Sequence, residues 1–165
     1  MKTVVTKIYL SLACALALVF SVSAQEKGDM AFGAHFAYGT GQSYNNMGLG
    51  ALLQYHVSNP IRVEPSLTFY FPKDHVTILD VSLNAHYVVP IHEEFNVYPV
   101  AGVGVFSSRF SYDGDSYGNT DFGINVGAGA EYIIDNSFKI KVEPKYAIIN
   151  DWNRFVLTAG ITFLF

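Results

Sequence analysis

Eight stretches of this chain alternate apolar and polar side chains with a period of two, and no other property limits the fold as severely. They run over residues 30–39, 46–57, 61–71, 76–89, 95–109, 121–134, 138–149 and 154–165, separated by turn-forming residues. The last is the clearest. Phe155, Leu157, Ala159, Ile161, Phe163 and Phe165 fall on one face, and Thr158, Gly160 and Thr162 on the other. A strand so apolar on one side must bury that side in a core or in lipid, because successive side chains point to opposite faces.

The apolar faces of the other seven stretches, from Phe32 and Phe36 through Leu83 and Val103 to Ile124 and Ile140, carry no charge. The opposite faces hold the polar residues, among them Arg62, Glu64, Asp80, His86, Glu131, Lys139, Lys141, Glu143 and Lys145. Four of these are basic and four acidic, a balance suited to a mutually paired interior. The same faces hold ten of the fourteen glycines. A barrel of eight strands has an interior only just wide enough for side chains, so glycine belongs inside. An interior lined by Phe, Tyr and Leu from every strand would overfill it. The expected fold is therefore all-β: an eight-stranded antiparallel up-and-down transmembrane β-barrel, apolar side out. In lipid every backbone group must pair between strands, so the sheet must close.

Residues 1–24 carry Lys2 and Lys7, an apolar run from Ile8 to Phe20, and Val22-Ser23-Ala24 before Gln25. That is the pattern of a cleaved secretory signal peptide, leaving 25–165 as one barrel domain. The only cysteine, Cys14, would leave with it. Removing Lys2 and Lys7 leaves eight basic against fourteen acidic residues, a net charge of −6. No basic stripe exists for nucleic acid.

Short connections at Ser58-Asn59-Pro60, Pro90–Glu94 and Asp135-Asn136-Ser137 read as periplasmic turns, and the longest connection, Phe110–Thr120, as an outer loop. The sequence also repeats itself. Asn46–Pro65 aligns without a gap on Asn125–Pro144, sharing G-x-G-A and V-E-P, and Ala85–Pro99 is a weaker third copy. The repeating unit is a hairpin, read here as shared architecture alone. Pro65, Pro99 and Pro144 lack the N–H that a ladder needs, and are expected at bulges or near the periplasmic rim. Aromatic residues gather toward both ends of the strands, as rings do at a bilayer interface.

Signal peptide, alternating strands, the run Pro99–Val105 (PVAGVGV) and the terminal aromatic strand together resemble the small outer-membrane β-barrel family of Gram-negative bacteria, the group of OmpA- and OmpX-type barrels. The resemblance covers the whole mature chain. It implies the outer membrane as location and outer-membrane lipid as surroundings. It also implies that Ile161, Phe163 and Phe165 carry a signal read by the barrel assembly machinery. No peptidoglycan-binding domain follows the barrel, so an anchoring role is not implied.

The residues suggest no catalyst. No pattern sets serine beside histidine, and the inner-face residues Arg62, Glu64, Asp80, His86, Glu131, Lys141, Glu143 and Lys145 read as a lumen polar network. Asp113–Asn119 begins like a calcium loop but has Tyr117 and Ile124 where ligands are required. No metal or cofactor is expected. The reading is a non-enzymatic barrel with a structural or surface-interaction role, its lumen plugged by paired polar side chains. The alternatives are a soluble lipocalin-like carrier of an apolar ligand, which predicts an apolar lumen, and a lipid-modifying outer-membrane enzyme.

Overall fold

The computed structural model describes residues 27–41, 45–112, 115–150 and 152–165. The signal peptide expected over residues 1–24 lies outside the described residues. Nine strands follow in order: β1 Met30–Gly41, β2 Asn45–His56, β3 Ile61–Lys73, β4 Val76–Tyr87, β5 Val89–His92, β6 Phe95–Tyr112, β7 Asp115–Asp135, β8 Phe138–Ile149 and β9 Asn153–Leu164. Each pairs antiparallel with its neighbours, and the sheet closes on itself where β1 meets β9. β4 and β5 lie end to end along β6: His86↔Val100 and Val89↔Val97 belong to one register. The wall therefore has eight staves, the expected closed barrel, with the fourth interrupted at Val88.

The faces fall as the alternation requires. Phe32, Leu49, Leu67, Leu83, Val103, Ile124, Ile140 and Leu157, one from each stave, are 41–58% exposed. Arg62, Glu131 and Lys141 are at most 3% exposed. A water-soluble fold does the reverse, because isolated charges taken out of water are costly while apolar surface gains by burial. Here the apolar exterior meets acyl chains.

Glycine serves the crowded interior. A Cβ at Gly129 would overlap the Tyr98 ring, and one at Gly39 would overlap the Arg154 guanidinium. Two large inward side chains thus depend on a missing methyl group opposite them.

The connection Phe110–Thr120 differs from expectation. Instead of a loop it continues the β6–β7 hairpin, whose ladder runs to Tyr112↔Asp115. β8 stops accompanying β7 at Gly123↔Ile149, and β4 leaves β6 at Val76↔Phe110, so the hairpin projects past the rim. Outside the bilayer neither face meets lipid, so the apolar alternation that marks a membrane strand is lost although pairing continues.

Of the two places expected for the prolines, bulges and the periplasmic ends of the strands, the structure favours the second: Pro65, Pro99 and Pro144 lie in the halves of β3, β6 and β8 that follow the short turns. No register shift occurs at any of them. Between β2 and β3, bridges pass from Leu52↔Ser66 to Tyr55↔Val63, omitting two pairs beside Pro65. Between β7 and β8 they pass from Gly127↔Lys145 to Ala130↔Val142 beside Pro144, and beside Pro99 the interruption at Val88 is the equivalent gap. On its other side each proline sits in an unbroken ladder: Pro65↔Leu83, Pro99↔Ala128 and Pro144↔Leu157. A bulge is unnecessary because the missing N–H concerns only one neighbouring strand.

Candidate functional site

The lumen is built in three levels. Nearest the periplasmic turns is an ionic one. Arg62 on β3 donates through Nη1 to Glu131 Oε2 on β7 at 2.7 Å, and Asn96 Nδ2 donates to Glu131 Oε1 at 3.0 Å. Lys141 Nζ donates to both oxygens of Glu64 at 2.6 Å and lies 3.2 Å from Glu143 Oε2. Gln54 ties the two groups together, donating to Glu64 at 2.7 Å and accepting from Lys139 Nζ at 3.2 Å. Lys145 Nζ is 3.9 Å from Glu143 Oε1. His86 stacks on Tyr98 with ring centres 4.6 Å apart, while Arg62 donates to its Nδ1 through Nε at 3.2 Å.

The middle level is neutral apart from Asp80. Ser82 donates to Asp80 at 2.5 Å, Asn125 donates to Ser82 and Asn84, and His35 is 2.8 Å from Thr68 Oγ1. The level nearest the outer mouth is mainly apolar. Ala37, Tyr70, Val76, Ile78 and Val156 form one buried cluster and Phe106, Ala147 and Ile149 another, both packed against Trp152. Arg154 is set among them, 4.2 Å from the Tyr70 ring centre and donating to Asn46 Oδ1 at 2.8 Å.

Of the inner-face residues singled out in the sequence, Arg62, Glu64, His86, Glu131, Lys141, Glu143 and Lys145 meet in the ionic level. Asp80 stands apart in the middle level, and among the described residues it has no ion-pair partner within 4.0 Å. Arg154 was missed as a lumen residue, so among the described residues the buried charges are five positive against four negative. Its signal was present: with Phe155 outward, residue 154 must point inward. The outer apolar plug was also missed, since isolated Ala37, Phe106 or Val156 among polar neighbours carries no period of its own.

The hairpin repeat has a consequence beyond architecture. Glu64, Tyr98 and Glu143 each precede a proline and so are held extended. All three enter one cluster: Tyr98 Oη donates to Glu143 Oε2 at 3.3 Å, and Lys141 bridges Glu143 to Glu64.

Glu64, His86 and Glu143 bring three possible ligand atoms within 4.8 Å of one another. The Lys141 ammonium already sits on both carboxylates. Arg62 donates to His86 Nδ1, which leaves the proton on Nε2, the atom a metal would need. These residues therefore do not fit a metal ion. For catalysis, the inner-face serines Ser66 and Ser82 are buried, and Ser82 is engaged by Asp80 and Asn125.

At the far end of the chain, Ile161 faces outward and the terminal strand carries a chain of rings. Phe163 stacks on Phe32 at 5.3 Å and meets Phe138 edge-on at 4.3 Å, and Phe165 N–H donates to Met30 O at 3.0 Å.

A closed wall, apolar outside and ion-paired within, is that of a transmembrane β-barrel of the outer-membrane class. The chain belongs to the outer membrane protein beta-barrel domain family, whose model matches residues 12–165. Among solved structures it is similar to the N-terminal β-barrel domain of OprF from Pseudomonas aeruginosa, with 18% identity, 86% of this chain and 100% of that one covered, and a TM-score of 0.70. It is also similar to Ail, the attachment invasion locus protein of Yersinia pestis (20%, 84% and 99%, 0.63), and to Neisserial surface protein A (16%, 83% and 96%, 0.65). At these identities the likeness is one of fold. No curated protein matches the chain.

Proposed function

We propose that this protein is a non-enzymatic, non-conducting barrel of the outer membrane, with a structural or surface-interaction role exercised through its projecting β6–β7 hairpin. The observation that carries this reading is the filled lumen. Arg62, Tyr70, Tyr98, Phe106 and Lys139 are all less than 2% exposed inside a barrel whose width leaves room for little else. An apolar carrier would need an empty apolar cavity where the ion pairs lie. A lipid-modifying enzyme would need its acid, base and nucleophile at a rim, whereas His35, His56 and His86 are buried between the strands.

Export through a signal peptide cleaved after Ala24 fits the sequence of residues 1–24. The exposed Phe165, with Phe163 and Ile161, would be the segment read by the barrel assembly machinery, and outer-membrane lipid the surroundings of the apolar wall. The test combines three measurements: fractionation, heat-modifiable migration on a gel, and conductance in a planar bilayer. Recovery in the outer membrane, a heat-dependent shift and no stable channel are expected. A detergent-independent soluble protein, or a persistent open channel, refutes the reading.

A further inference from the structure

The β6–β7 hairpin has two unlike faces. On the outward side, three successive rows cross β4, β6 and β7: Val81–Val105–Phe122, then Leu79–Ser107–Thr120, then Thr77–Arg109–Gly118. Rows on one face are two residues apart, about 7 Å. The outward wall thus changes from wholly apolar to hydroxyl and guanidinium within about 14 Å, and Ser111 and Ser116 continue the polar surface above.

No carboxylate occurs among Thr77, Ser107, Arg109, Ser111, Ser116, Gly118 and Thr120. Asp121, one position past Thr120, accepts from Trp152 Nε1 at 3.1 Å and from Asn119, away from this face. Asp74 belongs to the β3–β4 turn, beside the exposed Lys73. Arg109 is exposed and, among the described residues, forms no ion pair, unlike Arg62. Opposite it Gly118 leaves open space, since a Cβ there would meet only Ser108 O at 3.7 Å. Among the described residues, one strand face thus presents an unpaired guanidinium beside a gap, ringed by hydroxyls, directly above a lipid-facing wall.

We infer that this face binds the phosphorylated headgroup of an outer-leaflet lipid, Arg109 supplying the charge and Thr77, Ser107 and Thr120 the neutral donors. The inference rests on the outer-membrane reading above and names the chemistry of one contact within it. A guanidinium suits phosphate because it offers two parallel N–H donors, and none of the named residues of this face is a carboxylate that would neutralise it. The chain below the headgroup would lie against Val81, Val105 and Phe122.

The test uses the whole mature protein refolded into phosphatidylcholine vesicles, with spin-labelled phosphatidylglycerol and spin-labelled phosphatidylcholine compared for association at the protein surface. A preference of about fivefold for the anionic label is expected for one cation at the membrane surface. Arg109→Gln should bring it near unity, Arg109→Lys should keep most of it, and Lys27→Gln, at the periplasmic end, should leave it unchanged. Equal preference in wild type and Arg109→Gln, or an equal loss in Lys27→Gln, overturns the inference. So does suppression by millimolar inorganic phosphate, which would make the site one for a soluble anion. Failure to insert and show a heat-dependent gel shift would instead sink the barrel reading itself.

Discussion

Arg154 lies over Tyr70, its guanidinium 4.2 Å from the ring centre, and both are buried at the outer end of the lumen. The pair lies at a different level from the Arg62–Glu131 pair, which belongs to the ionic level nearer the short turns. On the proposed non-conducting reading the two levels block the lumen in series, and neither alone decides conduction. Arg62→Ala with Glu131→Ala should therefore give no stable channel in a planar bilayer, and Tyr70→Ala with Phe106→Ala should give none either. The quadruple variant should conduct. A channel from the first pair alone would show that the aromatic level is not a barrier.

Removing one partner of a buried ion pair leaves the other charge uncompensated. Glu131→Ala should lower stability by about 3–5 kcal/mol in urea titrations of the vesicle-inserted protein. Replacing Arg62 by Met and Glu131 by Leu together should cost far less, because the desolvation penalty disappears with the charges. A double variant as unstable as the single one would contradict this account.

Gly39→Ala places a methyl group on the Arg154 guanidinium, and Gly129→Ala places one on the Tyr98 ring. Each should destabilise by about 1–3 kcal/mol, the usual effect of overpacking. Gly118→Ala, where the added carbon meets nothing closer than 3.7 Å, should be nearly silent and serves as the comparison in the same titration.

Most of the barrel was legible because lipid imposes a strict demand: every second side chain of a spanning strand must be apolar. That demand identified the staves and placed Arg62, Glu131 and Lys141 on the inner face from the pattern alone. It vanishes where the bilayer ends, which is why Phe110–Thr120 reads as a loop although its described residues continue the β6–β7 ladder. Lumen contacts were less legible. The alternation says that Glu64, Tyr98 and Glu143 point inward, but their meeting depends on the stagger between hairpins, and Asp80 lies too far along its stave to join them.

Beyond the last β7–β8 pair the hairpin is held by its own ladder and by β4 as far as Val76↔Phe110, so the barrel should not need its tip. Replacing residues 112–115 by a short Asn-Gly turn should leave heat-modifiability intact and move the unfolding midpoint little. Loss of the folded gel form would show that the projection contributes to the wall.

Backbone exchange should report the three proline gaps. In lipid nanodiscs, the amides of Leu53, Tyr87 and Ala128, which stand opposite the prolines in the omitted pairs, should exchange faster than those of Leu52, Leu83 and Val126 in intact ladders. Uniform protection would mean that the gaps are bridged.

All three gaps fall between the two strands of one repeated hairpin, whereas the junctions from one hairpin to the next are continuous beside the prolines, β3–β4 shifting register only past Tyr70. A wall enlarged by copying such a unit carries its weak seam inside the copy and joins its neighbours along a complete one. Stave number is in that sense an adjustable quantity, and inserting a fourth copy is the direct route from this sequence to a ten-stranded ring.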